Sequence, residues 1–460
     1  MTAGFSRLGA FWRNAVLAIV FAWVLPASVR AQDATPAEPE CISIEDGEGC
    51  LPVAAKGERV DVATPTFSDP TSITNPLFPI SDLHSAILLG AVDGQLFRVE
   101  VTLLSEPKTI DIDGQPVEAL VSQYVAYLDG QIHEVALDWY AQADDGSVWY
   151  LGEDVYNYED GAVADTDGTW LAGRDGPAAM IMPADPKVGD VYRPENMPEV
   201  IFEEVTVQKV DVTVDGPRGP VDVAILTEEL HQDAVYESKF FAPGYGEFLT
   251  SGNGDIEALA LAVPTDALGA EAPAEVVDLY DGALEVLAAA EAGDFPAAST
   301  ILAGMTASWA TVQESGDVPV MIADQMTRAL DALAGDSLIP AVNGADEIGT
   351  RMAAIDVARA SQDILLQYRQ PVEIDLARLG LWVQQARIDA SITNPGTLLA
   401  DVTTLEWTWD RIAHSVDQAA AGEVEAHIAE LRTAAEEEDF EAAAEAADQL
   451  AGQLTELSVQ

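Results

Sequence analysis

The chain has 460 residues, 48% of them hydrophobic, with 79 Asp and Glu against 21 Lys and Arg for a formal charge of −58. Apolar content on that scale excludes a disordered chain in spite of the charge. The field repels nucleic acid and anionic membrane surfaces and draws in cations and basic partners; it also suits a saline medium, where screening tolerates an acidic surface.

Arg7 and Arg13 precede an uncharged apolar run from Ala15 to Leu25, which Pro26 breaks, and Val29-Arg30-Ala31 puts small residues where a signal peptidase reads. This order predicts a secretory signal peptide over residues 1–31, cleaved after Ala31. The run is too short for a lasting bilayer span. The protein is therefore expected in the periplasm or secreted, with no permanent membrane anchor. Residues 32–64, rich in Ala, Pro, Glu and Gly, read as a tether. Its Cys41 and Cys50 are the two cysteines of the chain, and in an oxidising compartment they are expected to pair as a disulfide.

Residues 65–264 carry the signals of antiparallel β structure. Asp-Gly pairs recur at Asp93, Asp113, Asp129, Asp145, Asp160, Asp167, Asp175 and Asp215, separated by alternating runs such as Phe97-Arg98-Val99-Glu100-Val101. Asp-Gly suits a type I′ hairpin turn, in which both central residues take positive φ. Strands longer than ten residues favour a strongly curved sheet over a small sandwich. Residues 265–274, with Gly269 and Pro273, read as a linker.

From 275 to 460 the period becomes helical and repeats. Phe295, Ala298, Leu302, Met305, Trp309 and Val312 match Pro395, Leu398, Val402, Leu405, Trp409 and Ile412, and again Phe440, Ala443, Ala447, Leu450, Leu454 and Leu457. Each set follows a matching helix, so the unit is a helical hairpin with a coiled-coil-like seam. Two more helices are expected near 318–334 and 345–369. The predicted class is α+β in separate domains: an antiparallel β barrel or half-barrel followed by an all-α hairpin bundle.

The stretch Asp138-Trp139-Tyr140-Ala141-Gln142, continued by Gly146 and Val148-Trp149-Tyr150-Leu151-Gly152-Glu153, resembles a family of uncharacterised secreted bacterial proteins marked by this hairpin. Asn75-Pro76-Leu77-Phe78-Pro79, Ile181-Met182-Pro183 and Lys239-Phe240-Phe241-Ala242-Pro243-Gly244 agree in order, so the likeness spans about 66–250. It implies no activity. The closing segment is similar to that of LolA-like half-barrels, which hold apolar ligands, a likeness of fold alone. Gly293-Asp294 and Ala297 resemble periplasmic helical segments of bacterial iron permeases.

Two sites follow from spacing. With Asp145-Gly146 as a two-residue turn, Asp138 faces Glu153, Tyr140 faces Leu151 and Gln142 faces Trp149. Opposed carboxylates repel unless a cation or proton lies between them, so Glu134, Asp138, Tyr140 and Glu153 are candidates for a ligand or divalent cation. The alternative is a fold-holding network fed by backbone N–H groups or Arg193. A three-residue turn would shift this register. Glu406, Asp410 and His414, at i, i+4 and i+8, stack metal-capable side chains on one helical face, where ion pairing on a solvated face is the plainer explanation. No nucleophile–His–acid pattern or phosphate-cradling loop occurs, which argues against an enzyme. The leading expectation is a non-catalytic binding or scaffold protein, its β domain taking a small ligand and its bundle docking a protein partner. A metal-handling protein is the first alternative, and a hydrolase built on the Asp138–Glu153 pair the second.

Overall fold

The computed structural model describes residues 40–457 except 45, 46, 48, 199 and 339–345. The expected signal peptide, its cleavage point at Ala31 and the first part of the tether lie outside the described residues. Strands β1 (Glu40–Ser43) and β2 (Cys50–Val53) form a hairpin closed by the Cys41–Cys50 disulfide. Leu51 and Val53 anchor it to the large sheet by packing on Phe202 and Leu230.

Fifteen strands make that sheet. They are β3 (Ser85–Val92), β4 (Gln95–Leu103), β5 (Lys108–Ile112), β6 (Gln115–Leu128), β7 (Gln131–Gln142), β8 (Val148–Glu159), β9 (Ala162–Asp165) and β10 (Trp170–Leu171). There follow β11 (Ala179–Met182), β12 (Val191–Met197), β13 (Ile201–Gly216), β14 (Gly219–His231), β15 (Tyr236–Ala242), β16 (Gly246–Gly252) and β17 (Asp255–Val263). Their order is β10-β8-β7-β6-β4-β3-β17-β16-β15-β14-β13-β12, with β5 on β6 and both β9 and β11 on β8. The sheet is not closed by hydrogen bonds. It curls far enough, however, for Trp170 on β10 to donate its Nε1–H to Glu195 on β12 at 3.3 Å, although those strands end the order on opposite sides. A half-barrel is the outcome, as sheet twist and long strands require.

Turn chemistry explains the hairpins. Asp93, Asp113, Asp129 and Asp160 take φ of 51°, 53°, 47° and 49°, and the glycine after each is also positive, which is the I′ geometry. Asp145 does not, and its turn is of another kind.

Among the described residues, eight α-helices follow the sheet: α1 (Ala274–Glu291), α2 (Phe295–Ser315), α3 (Val320–Ala332), α4 (Glu347–Leu365), α5 (Pro371–Ser391), α6 (Pro395–Ile412), α7 (Gln418–Glu436) and α8 (Phe440–Glu456). The repeat units are the pairs α1–α2, α5–α6 and α7–α8. Residues 293, 393 and 438 hold equivalent places before the second helix of each pair, and all three adopt left-handed φ (72°, 56° and 55°) although only the first is glycine. Asp294 and Asp439 then cap their helices by accepting from Ala297 N and Ala442 N. Seam residues Leu302, Met305, Trp309, Leu405, Trp409, Leu450 and Leu454 are all buried. They belong to two cores: one joins α1–α4 and, through Ile374, Leu381 and Ile388, a face of α5 to the outer face of β3 and β17, and the other unites α5–α8.

The alternation of β3 shows how the halves meet. Ala86 and Leu88 face the sheet's own core, while Ile87 faces the helices. Between them lies a buried ionic cluster. Arg98 and Glu100 project from β4 to meet Asp363 on α4, Asp375 and Arg378 on α5 and Arg411 on α6. Three cations and three carboxylates balance there, which is what burial of charge demands. Gly161, in the turn after β8, sits so close to α6 that a Cβ would lie 2.1 Å from the Ala400 nitrogen. Thr403 donates to its carbonyl at 2.8 Å, and Trp407 donates to the Tyr158 hydroxyl nearby. The chain between the halves is itself tied down: Asp266 accepts from the Tyr245 hydroxyl and from Ala262 N, and Leu268 N donates to Gln367 O.

Candidate functional site

The hairpin of β7 and β8 turns through three residues, not two. Ala143 N donates to Ser147 O and Gly146 N to Ala143 O, so Asp144, Asp145 and Gly146 form the loop. Close to the turn the register is accordingly shifted: Tyr140 pairs with Tyr150 and Gln142 with Val148, correcting the expected Leu151 and Trp149. A bulge then restores the expected pairing, and Asp138 does face Glu153. Gly152 makes the bulge possible with φ of 121°, where an added Cβ would lie 2.3 Å from the Trp170 carbonyl oxygen.

Segments far apart in sequence lock this turn. Gln142 Oε1 accepts from Thr74 N and Asn75 N, Asn75 Nδ2 donates to the Gly146 and Pro183 carbonyls, and Asp144 accepts from Ser68 N. The opening Asn75-Pro76 segment, the hairpin and Ile181-Met182-Pro183 thus come together in space.

Asp138 and Glu153 are both buried. The Tyr150 hydroxyl donates to Asp138 Oδ1 at 2.6 Å. Arg193 does not serve them; its guanidinium is taken by Glu204, Asn196 and the Ala54 carbonyl. Burial, with Glu134 and Glu247 adding repulsion, pushes the Asp138 carboxyl up to about 7 against the opposing help of Tyr150. Burial and the Asp138 charge push Glu153 up to about 8. Burial alone raises Glu134. Raised to about 7 and about 8, the Asp138–Glu153 pair favours holding a proton up to near neutral pH. Tyr140 stacks on Tyr150 at 4.9 Å and meets Phe78 edge-on at 4.8 Å.

Asp138 and Tyr140 open into a cavity of about 400 Å³ within the curl of the sheet. One part of its wall is apolar, formed by Phe78, Ile80, Leu83, Leu88, Phe97 and Val101. The other part carries Tyr124, Glu237, Lys239, Glu247 and Glu257. Burial and the Glu247 charge push Glu257 up to about 8, and burial raises the Tyr124 hydroxyl well above its ordinary value. A chamber with an apolar wall and facing carboxylates can hold an amphipathic molecule with a cationic or hydrogen-bonding head.

The helical stripe is placed differently. Glu406 pairs with Arg432 from α7, Nε to Oε1 at 2.9 Å, and Asp410 is exposed. His414 lies past the end of α6 in a short 3-10 turn (Ala413–Ser415), 3.0 Å from Ser415 Oγ. Among the described residues, the group of metal-capable side chains whose ligand atoms lie within 4.8 Å of one another is instead Glu203, Glu229 and His231. Sequence reasoning missed it, along with Glu195, Glu247 and Glu257. The available signal was the period-two spacing Glu229-Leu230-His231 and Glu237-Ser238-Lys239, which puts charge on a single face of adjacent strands. Which face turns inward was not evident without the curl.

No protein-family model matches the chain, and no curated protein matches it. Among the described residues, no helix is long and apolar enough to cross a membrane.

Proposed function

We propose that the protein is a non-catalytic binding protein of the periplasm or extracellular space, whose half-barrel takes a small amphipathic ligand and whose helical bundle docks a protein partner. The observation that carries the reading is the cavity itself, whose lining combines an apolar wall with Asp138, Glu247 and Glu257. Apolar burial supplies affinity and the carboxylates select a basic head group. The disulfide is in keeping with an oxidising compartment. Support for a basic partner comes from α7 and α8, whose outer faces expose Glu423, Glu425, Glu430, Glu441 and Glu445.

Dodecylamine and laurate, equal in chain length and opposite in charge, test the reading by calorimetry on the full chain. Dodecylamine is expected to bind at one equivalent and more tightly than laurate. Leu88→Trp, which fills the chamber, is expected to abolish binding. Failure of both probes to bind, or binding unaffected by the filled chamber, would reject the proposal.

A further inference from the structure

A row of side chains crosses four strands, β12 to β15, on the inner face of the sheet that Asp138 also occupies. Glu195 on β12 pairs with Glu203 on β13, and Glu203 pairs with His231 on β14. Glu229 stands two residues from His231 on the same face, and Glu237 on β15 is its cross-strand partner. The imidazole is surrounded: Nδ1 lies 3.3 Å from Glu203 Oε1, while Nε2 lies 3.4 Å from Glu229 Oε1 and 3.5 Å from Glu237 Oε2. Only one ring nitrogen can bind a given ion, and one ligand atom from each of Glu203, Glu229 and His231 lies within 4.8 Å of the others, close enough to converge on it.

Two further observations point to an ion. Glu195 is 4% exposed; its Oε1 accepts from Trp170 Nε1, and its Oε2 has no hydrogen-bond partner. Glu229, 3% exposed, directs an Oε1 into the cluster, 3.4 Å from His231 Nε2 and paired with Lys239 Nζ at 2.8 Å. Unsatisfied buried carboxylate oxygens are rare and costly. The cluster is also reachable, because Glu203, His231 and Glu237 line a separate open cavity of about 500 Å³ with Phe202 and Gln232.

The geometry points to a divalent transition-metal site held by Glu203, Glu229 and His231, with Glu237 and Glu195 as outer carboxylates. Two carboxylates and an imidazole suit zinc, manganese or ferrous iron better than calcium, which prefers oxygen ligands alone. The open cavity leaves a position for water or an exchangeable ligand. Glu237 also lines the larger chamber, but Glu203, Glu229 and His231 do not, so the metal site is tested without the amphipathic ligand.

Calorimetry with zinc chloride and manganese chloride, on the full chain at high ionic strength, tests it, since salt screens weak binding to the acidic surface. One saturable equivalent is expected for at least one of the two ions. His231→Ala and Glu203→Gln are each expected to weaken it by about tenfold or more, the scale on which even an outer partner contributes to a metal site. His427→Ala, on the distant α7, is expected to leave it unchanged. Glu203→Gln is isosteric and partly exposed, so it keeps the experiment readable if the histidine variant does not fold. Absence of a saturable equivalent for either ion, or wild-type affinity in the folded Glu203→Gln protein, would overturn the assignment.

Discussion

Arg411 and Glu100 lie 311 positions apart in the chain, and the Nη1 of one donates to the Oε2 of the other at 2.7 Å in the buried interface between helices and sheet. Arg411 also donates through Nε to Gln123, so a single guanidinium on α6 ties down both β4 and β6. Removing one member of such a pair leaves an uncompensated buried charge, at a cost of about 3–5 kcal/mol. Arg411→Met is therefore expected to lower the melting temperature sharply, whereas the double change Arg411→Met with Glu100→Leu recovers much of the loss. A double-mutant cycle by thermal unfolding measures this, and additivity of the two single changes would refute the coupling.

The pH dependence has two limbs. Burial would raise the Glu100 carboxyl, but Arg378, Arg98 and Arg411 outweigh it and hold it well below the ordinary range; Asp363 is likewise lowered. Their contribution is present above the unfolded carboxylate range and lost as pH falls through the lowered folded values. Asp138, Glu153 and Glu257 are raised to about 7, 8 and 8, so their contribution is complete below the unfolded range and fades as pH rises through 7 to 8. Melting temperature at constant salt is thus expected to fall between pH 5 and pH 9. Glu153→Gln should flatten that decline, and an unaltered slope in this variant would count against the shared-proton account.

Asp401 on α6 extends the same logic to the bundle. It is fully buried, neither of its carboxylate oxygens has a hydrogen-bond partner, and burial followed by the Asp389 charge raises it well above the ordinary range. Asp401→Asn removes the ionisable group while keeping the shape. The variant is expected to gain stability relative to wild type, more at pH 8 than at pH 5, because the buried acid stays protonated in the fold while the unfolded chain ionises, which destabilises wild type increasingly as pH rises. Denaturant unfolding at the two pH values reads the difference.

Gly152→Ala tests the bulge. The substitution forces a side chain at φ of 121° into the Trp170 carbonyl. Backbone strain of this kind costs about 1–3 kcal/mol before any clash is counted. The variant is expected to lose the β10 edge and the Asp138–Glu153 register together. Near-ultraviolet dichroism of the Tyr150–Trp170 edge contact, whose ring centroids are 5.4 Å apart, reports it directly.

In the repeat, Trp309 donates its Nε1–H to Thr327, but the Nε1 of Trp409 is buried without a partner. Truncating either ring to Ala is expected to cost about 3–5 kcal/mol. Trp409→Phe should cost far less than Trp409→Ala, since it removes an unsatisfied donor while keeping most of the apolar contact. Equal losses for the two changes at Trp409 would show that the indole nitrogen is satisfied after all.

The helical repeat was legible in the sequence because a 3.6-residue period depends only on neighbours within a turn or two; the equivalences of Trp309, Trp409 and Leu454 all end in buried positions. The I′ turns at Asp93, Asp113, Asp129 and Asp160 were legible for the same local reason, as was the Cys41–Cys50 pairing. Tertiary structure alone decided the rest. The Asp138–Glu153 pairing survives a turn of unexpected length because a bulge at Gly152, demanded by the approach of β10, cancels the shift. The Glu203–Glu229–His231 cluster arises because two adjacent strands, β13 and β14, bring their charged positions to one face, and the salt bridges of Arg98, Arg378 and Arg411 arise because the helices fold back on β4. Local periodicity says which residues share a face. Only the curl of the sheet and the docking of the helices, set by long-range burial, say what that face will meet.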